Sequence, residues 1–225
     1  MTGFELKLFA AVVMLIDHIG AYIFTDQMLL RIIGRLAMPV FVWLVAEGCR
    51  HTHSMRSYAL RLALAAAVAE PCVDFVRNGS FAMDWSGQSI MLTLLLGVLS
   101  VWALQSLGEM AGGAVALICC SMAQVLQCDY KWYGVALLLV FYYCRSLPKA
   151  AVSYAVFSVL WQWNMLAGWV TDGRWQMFLT WPHQLWGLLA FIPLAFYNGQ
   201  RGLRCRWFFY VFYPAHLLLL GLLIR

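Results

Sequence analysis

The protein has 225 residues and a formal net charge of +5; 64% of the residues are hydrophobic and 11% are charged. Its mean hydropathy is +0.77. Soluble domains carry about 25% charged residues, so the composition excludes an ordinary soluble protein and gives no reason to expect nucleic acid as a partner. It predicts an all-α, polytopic membrane protein.

Taken in chain order, the apolar segments predict about nine transmembrane helices. These segments are 4–24, 29–49, 57–76, 88–107, 111–127, 131–144, 150–170, 183–197 and 207–224. The first is too long for the core of a signal peptide and is followed by no small-residue cleavage site, so we expect it to be retained. Short connections and the lack of low-complexity runs predict a single domain over residues 1–225.

The distribution of positive charge predicts the orientation in the membrane. With the N-terminus in the cytoplasm, eight lysines and arginines face the cytoplasm and five face the opposite side. The first set is Lys7, Arg50, Arg56, Arg145, Lys149, Arg201, Arg204 and Arg206. This bias predicts a multi-pass protein of the bacterial inner membrane with a cytoplasmic N-terminus.

The first apolar segment contains Asp17 and His18 far from either end. His18 lies fourteen residues after Phe4, which is about 21 Å along a helix. A titratable side chain at that depth is costly, so it indicates either a functional site or a structural ion pair. The sequence alone leaves both interpretations open.

The second apolar segment contains Arg31 and Arg35, which share a helix face. Arg31 is expected to extend to the membrane interface. Arg35 lies one turn deeper and needs a partner, for which Asp17 has the matching depth. Pro39 interrupts the same helix and predicts a polar cavity nearby, whereas Glu47 stands near the cytoplasmic end.

A basic loop follows, with five titratable side chains within twelve residues: Arg50, His51, His53, Arg56 and Arg61. It is either a topology signal or a docking surface for a phosphate-rich cosubstrate. His51 and His53 point to different helix faces, so no metal site is predicted there. The seven cysteines form no CxxC pair and are interpreted as small core residues.

Two further segments combine a titratable residue with a helix-breaking proline. Glu70 precedes Pro71 in the third segment, where it is either a site residue or a carboxyl group bonded to a neighbouring helix. His216 follows Pro214 in the last segment. It lies about 15 Å from Arg206 along a helix, so we expect it at a depth similar to that of His18.

Several stretches together resemble the TraX family of conjugal-transfer proteins, which is associated with N-terminal acetylation of F-type pilin. They are KLFAAVVMLIDHIG, GRLAMPVFVWLVAEG, RSYALRL, SIMLTLLLG, DYKWYGVALLLV, YNGQRG and RWFFYVFYPAHL, in the family's order. The family is more distantly similar to membrane-embedded acyltransferases. The resemblance implies importance for Asp17, His18, Gly34, Arg35, Pro39, Glu47, Gly48, Tyr133, Gly134, Asn198, Gly199, Tyr213 and His216.

On this basis the sequence predicts an acetyltransferase that uses acetyl-CoA as cosubstrate and no metal. His18 is the predicted base, Asp17 and Arg35 set its charge and position, and His216 is a second proton carrier or oxyanion donor. The predicted donor-binding residues are Arg50, Arg56, Lys149, Arg201, Arg204 and Arg206. The predicted acceptor-binding residues are Glu47, Glu70, Tyr133, Asn198 and Tyr213.

The acceptor stays open: an amine or hydroxyl group on a membrane-inserted pilin-like peptide, a glycan or a lipid fits equally well. Two other functions also stay open. One is a proton-coupled transporter with Asp17, His18, Glu70 and His216 as its relay, although no matched pair of broken helices supports it. The other is a non-enzymatic factor for pilus assembly.

Overall fold

The computed structural model describes residues 1–203 and 206–225, and for Arg206 it describes the backbone. In these residues the fold is all-helical, with a lone bridge between Gln88 and Cys128 in place of any strand. The α-helices are α1 (Gly3–Tyr22), α2 (Met28–Gly34), α3 (Ala37–His51), α4 (Met55–Asn78), α5 (Ile90–Val125), α6 (Lys131–Tyr143), α7 (Leu147–Trp161), α8 (Trp163–Thr171), α9 (Met177–Thr180), α10 (Phe191–Ala195) and α11 (Arg206–Leu223). A 3₁₀ helix, Gln184–Ala190, precedes α10.

The chain divides into two compact units, each built from two separate segments. The first unit comprises Met1–Phe41 and Arg145–Cys205, and the second comprises Val42–Cys144 and Arg206–Arg225. In the first unit α1 packs on α2, and α7 packs on α8, α10 and the 3₁₀ helix. In the second, α4 packs on α5 and α11, and α5 packs on α6. The prediction of a single domain stays a prediction.

Within residues 1–203 and 206–225, two helical stretches are long and apolar enough to cross a membrane. They are Met28–His51, which joins α2 and α3, and Ile90–Val125. Three further apolar helices, Leu147–Trp161, Gln184–Ala195 and Trp207–Leu223, are shorter than the roughly 20 residues that a span requires. These helices support membrane association, and the number of nine spans stays a prediction.

Helix α5 folds back on itself at Gly108. This residue has φ 79° and ψ 179°, which a side chain would disfavour. A Cβ on Gly112 would overlap the backbone of Leu104, although eight residues of straight helix would separate them by about 12 Å. Leu96 and Cys119 accordingly meet in one hydrophobic cluster. The break predicted between 88–107 and 111–127 is therefore confirmed as a helical hairpin.

Two predicted segments differ from single α-helices. The segment 150–170 contains most of α7 and all of α8 except its last residue, and the two helices are separated at Gln162. The segment 183–197 consists of the 3₁₀ helix followed by the five residues of α10. Gln162, at the first of these breaks, accepts at its Oε1 from the backbone amide of Gln184, the first residue of the 3₁₀ helix.

The glycine-rich loop YNGQRG holds the beginning of α1. The first two amides of α1, from Gly3 and Phe4, donate to the carbonyls of Gln200 and Arg201 at 2.8 and 3.1 Å. Thr2 and Glu5 complete a capping box at the same end. The amides that a helix leaves unpaired at its N-terminus are thus satisfied by a distant part of the first unit.

Candidate functional site

Asp17 on α1 lies between two arginines of the following helical segment. Its Oδ2 is 2.6 Å from Nη1 of Arg31, and its Oδ1 is 3.5 Å from Nη2 of Arg35. Arg31 also donates to the carbonyl of Asp17, and Nε of Arg35 donates to the carbonyl of Arg31. The predicted pairing of Asp17 with Arg35 is confirmed. Arg31 has more than the interfacial role expected of it, because its guanidinium makes the shorter contact with Asp17. Its position relative to a membrane interface stays a prediction.

This cluster is largely removed from solvent: the side chains of Asp17, Arg31 and Arg35 are 17%, 27% and 13% exposed. Gly34 makes the arrangement possible, because a Cβ at that position would overlap the Asp17 carboxyl group. Among the residues that the structure describes, none donates a hydrogen bond to Asp17 Oδ1. Besides its ion pair with Arg35, this oxygen therefore retains the capacity to accept a hydrogen bond.

His18 follows Asp17 directly and is partly buried on α1. Its ring centroid lies 6.1 Å from that of Tyr22, at an angle of 54°. Successive helix residues point about 100° apart, so His18 and Asp17 lie on neighbouring faces of one turn. The histidine thus lies in the same turn of α1 as Asp17.

A second polar group in the first unit adjoins Arg35. The hydroxyl of the fully buried Tyr154 donates to the carbonyl of Gln184 at 2.8 Å. The amide of Gln184 in turn donates to Oε1 of Gln162 at 2.7 Å. A Cβ on Gly187 would overlap the Tyr154 hydroxyl and lie 3.1 Å from the carbonyl oxygen of Arg35. The 3₁₀ helix that carries this network therefore packs closely against the backbone of Arg35.

Sequence reasoning missed this network and the buried His183 beside it. His183 is 5% exposed, and its Nε2 donates to the carbonyl of Phe178 at 2.8 Å. The available signal was the polar pair His183 and Gln184 after Pro182, inside a run of tryptophan and leucine. From the sequence, that run is predicted to be an ordinary span.

In the second unit, Glu47 forms its own ion cluster at the end of α3. Its Oε2 accepts from Nη1 of Arg50 at 2.5 Å, and its Oε1 lies 3.0 Å from Nε2 of His51. Arg50 also donates to the carbonyls of Phe141 and Tyr142, which belong to the last turn of α6. Arg50 thus satisfies carbonyls that the end of α6 leaves unpaired. A role of Arg50 in binding acetyl-CoA stays a prediction.

His216 is buried in the second unit, on α11. Its Nδ1 lies 2.7 Å from the carbonyl of Phe212, one turn earlier, and its ring stacks on the Phe212 ring. Tyr213 is 3% exposed and meets the histidine edge-on. Since His18 belongs to the first unit and His216 to the second, their meeting at one site stays a prediction.

Other predicted site residues have identifiable local contacts. Glu70 accepts from the backbone and hydroxyl of Ser89 at the start of α5, which is the structural alternative considered above. Tyr133 is fully buried in α6. Asn198 is exposed. Its side-chain Oδ1 accepts from the backbone amide of Gln200, and its own backbone amide donates to the carbonyl of Met1. Their roles in acceptor binding stay predictions.

The predicted donor-binding cations differ in their placement. Arg56 is exposed in the second unit, and Lys149 and Arg201 are exposed in the first. Arg204 lies outside the described residues, as does the side chain of Arg206. Their common function at one phosphate site stays a prediction.

Metal and disulfide chemistry find no support in the described part of the chain. Residues 1–203 and 206–225 contain no group of three or more histidine, cysteine or acidic side chains that could hold a metal ion. The six cysteines within these ranges are free, and Cys49, Cys119 and Cys128 are buried as expected for core residues.

Comparison with known proteins extends over nearly the whole chain. The model of a family described as "TraX protein" matches residues 3–224. A probable fimbrial assembly protein FimC, serogroup H1, of Dichelobacter nodosus is 25% identical over 97% of this chain and 94% of its own length. The uncharacterized protein RP591 of Rickettsia prowazekii (strain Madrid E) is 56% identical over 36 residues, which are 16% of this chain and 14% of the relative. No solved structure matches the chain.

Proposed function

The chain belongs to the TraX family, and on that premise we propose that it is a membrane acetyltransferase that moves an acetyl group from acetyl-CoA to an amine or hydroxyl acceptor. The family and the fimbrial assembly relative point to a function connected with pili. A membrane-inserted, pilin-like N-terminus is therefore the acceptor we favour over a glycan or a lipid. The proposed location is the bacterial inner membrane.

One observation carries the proposal: a histidine adjoins a buried carboxylate that is held by two arginines and retains an oxygen without a hydrogen bond. An acetyl thioester is already activated, so its transfer needs a base for the acceptor and stabilisation of the developing oxyanion. His18 is the proposed base. Asp17 orients it and balances its charge, and Arg35 supplies positive charge to the oxyanion.

The proposed reaction conserves atoms and protons. The acceptor nitrogen or oxygen forms a bond to the acetyl carbonyl carbon, and its proton passes to His18. The tetrahedral intermediate then collapses, the carbon–sulfur bond breaks, and the CoA thiolate takes the proton from His18. His216 as a second proton carrier remains the hypothesis from the sequence.

The test is acetyl transfer by the purified protein in detergent, with [1-¹⁴C]acetyl-CoA as donor and alaninamide as a model amine. We expect labelled N-acetylalaninamide from the wild type and a loss of about 10²- to 10⁴-fold in kcat with His18→Gln. Asp26→Asn is the matched control, because Asp26 is an exposed carboxyl group of the same unit. Full turnover by a correctly inserted His18→Gln protein would remove His18 from the mechanism.

A second candidate is a non-enzymatic assembly factor, which the name of the fimbrial relative favours. The two functions make opposite predictions for one variant in cells. If the protein is an assembly factor, the pilin N-terminus should be in the same state in wild-type cells and in Asp17→Asn cells. If it is an acetyltransferase, the N-terminus should be acetylated in wild-type cells and unmodified in Asp17→Asn cells. Mass spectrometry of the pilin N-terminus, measured beside pilus yield, separates the two.

A further inference from the structure

Tyr154 on α7 has a buried hydroxyl group that takes no part in the reaction proposed above. Its side chain is fully buried. The hydroxyl donates to the carbonyl of Gln184 at 2.8 Å, and its oxygen lies 3.4 Å from Oε1 of the same residue. A buried hydroxyl is costly unless it is bonded. This bond therefore fixes Gln184, the first residue of the 3₁₀ helix, on α7.

Gly187 brings the 3₁₀ helix close to both Tyr154 and Arg35. In a 3₁₀ helix, side chains three residues apart stand on the same side, so those of Gln184 and Gly187 point the same way. A Cβ on Gly187 would overlap the Tyr154 hydroxyl and would lie 3.1 Å from the carbonyl oxygen of Arg35. Because closely packed groups transmit displacement, a shift of the 3₁₀ helix relative to Tyr154 would also change its contact with Arg35.

Arg35 stands at the junction between α2 and α3. Gly34 is the last residue of α2, and α3 begins at Ala37. Across this junction the amides of Arg35 and Leu36 donate to carbonyls three residues earlier, both at 3.1 Å. Such a 3₁₀-type interruption between two helices is a place where the chain can bend. The direction of the Arg35 backbone therefore depends on its neighbours, of which the 3₁₀ helix is one.

The two arginines of the Asp17 cluster depend on this junction to different degrees. Arg31 lies inside α2, and its Nη1 is 2.6 Å from Oδ2 of Asp17. Arg35 lies at the junction, and its Nη2 is 3.5 Å from Oδ1 of Asp17. This second separation already exceeds that of a good hydrogen bond, so a small further displacement weakens the contact. A shift of the junction should thus loosen Arg35 and spare Arg31.

We propose that Tyr154 is a positioning residue for Arg35. Its hydroxyl holds the 3₁₀ helix, and the 3₁₀ helix holds the Arg35 backbone so that the guanidinium lies beside Asp17. The consequence for turnover rests on the proposed function, in which Arg35 supplies positive charge to the oxyanion. A charge placed in advance of the reaction loses its effect when it is displaced, so the hydroxyl of Tyr154 contributes to turnover through Arg35.

Tyr154→Phe removes the hydroxyl and keeps the ring that packs on Phe191. In the acetyl-transfer assay we expect kcat to fall about tenfold to hundredfold while the KM for acetyl-CoA stays within about twofold. Ser100→Ala is the matched control, because Ser100 is a fully buried hydroxyl of the second unit that also donates to a carbonyl at 2.8 Å. Each variant should lower Tm by about 2 to 4 °C. Equal kcat values for the two variants would overturn the inference.

Gly187→Ala tests the same set of contacts from the 3₁₀ helix. The added methyl group would overlap the Tyr154 hydroxyl and press on the Arg35 carbonyl, so kcat should fall. Removing the hydroxyl with Tyr154→Phe relieves the worse overlap and leaves the ring carbon Cζ, 2.7 Å from the methyl position. Gly187→Ala should therefore cost less turnover in the Tyr154→Phe protein than in the wild type. The same fold-loss in both proteins would contradict a path through Gly187.

Thermal unfolding in detergent keeps the positioning role separate from acetyl transfer. If the hydroxyl acts through the Arg35 guanidinium, Tyr154→Phe should lower Tm less when Arg35→Gln is already present. Arg31→Gln is the matched control, and with it the loss of Tm should be as large as in the wild type. Such coupling in a protein that transfers no acetyl group would retain the positioning role and reject the proposed enzyme activity. Losses that add equally with both arginine variants would overturn the positioning role, whatever the transfer assay gives.

Discussion

Each unit of the molecule contains a carboxylate paired with arginine, and the two clusters differ in how completely they are bonded. Both oxygens of Glu47 have partners, one in Arg50 and one in His51. Arg50 also binds the last carbonyls of α6, so the cluster fastens two helices together. Asp17 lies between two arginines, yet its Oδ1 accepts no hydrogen bond from any described residue.

This difference separates a structural ion pair from a candidate site. A buried polar network that is fully satisfied adds rigidity, whereas a buried oxygen without its bond requires an explanation such as a ligand. In the sequence, Asp17 and Glu47 are both acidic residues within apolar segments near arginine, and they differ in their predicted depth. The contacts distinguish them, and the following substitutions test the distinction.

The largest expected effect is on turnover by the Asp17 cluster. We expect Asp17→Asn to lower kcat for acetyl transfer by about 10²- to 10⁴-fold, because the neutral amide cannot balance the charge that His18 acquires. The KM for acetyl-CoA should change much less. The initial rate of label transfer at saturating donor measures this effect, with Asp26→Asn as control. A change confined to KM would place Asp17 in substrate binding.

Gly34→Ala should have the next largest effect. The added methyl group would overlap the Asp17 carboxyl group and displace it from Arg31 and Arg35. A displacement of about 1 Å lowers turnover by roughly 10²-fold. Gly168→Ala is the matched control, since a Cβ at Gly168 meets nothing within 4 Å. Normal turnover by Gly34→Ala would show that the close fit of Asp17 is dispensable.

Arg50→Gln should act on stability and leave turnover largely intact. Removing this guanidinium leaves Glu47 and the carbonyls of Phe141 and Tyr142 short of donors, which costs about 1 to 3 kcal/mol. Thermal unfolding in detergent measures the loss, and the exposed Arg56→Gln serves as the control. If Arg50→Gln instead raised the KM for acetyl-CoA and left stability unchanged, Glu47 and Arg50 would belong to the binding site for acetyl-CoA.

The smallest effect is expected from exposed cations. Lys149 and Arg201 are exposed in the first unit and are proposed to attract the phosphates of CoA. Replacing both by glutamine should raise the KM for acetyl-CoA a few-fold at low salt and flatten its salt dependence, because exposed charges are screened. Steady-state kinetics across a salt series measure this. An unaltered KM at low salt would leave these residues as topology signals.

Much of the architecture could be predicted from the sequence, because it depends on local composition. The all-α class follows from long apolar segments, and the break near Gly108 was expected between two of them. The pairing of Asp17 with Arg35 followed from matched depth and was confirmed. The ion pair of Arg31 with Asp17 and the 3₁₀ helix in segment 183–197 were not predicted, because each involves contacts with residues distant in the chain.

The sequence by itself determined which side chains are expensive to bury: Asp17, His18, Arg35 and His216 are polar residues in apolar surroundings wherever the chain folds. Only the tertiary structure decided which of them meet. It placed Asp17, His18 and Arg35 in one unit and His216 in the other, and it packed the rings of Trp169 and Trp186 against His183. The physical reason is that burial cost belongs to a residue type, whereas a satisfied or unmet hydrogen bond belongs to positions in space.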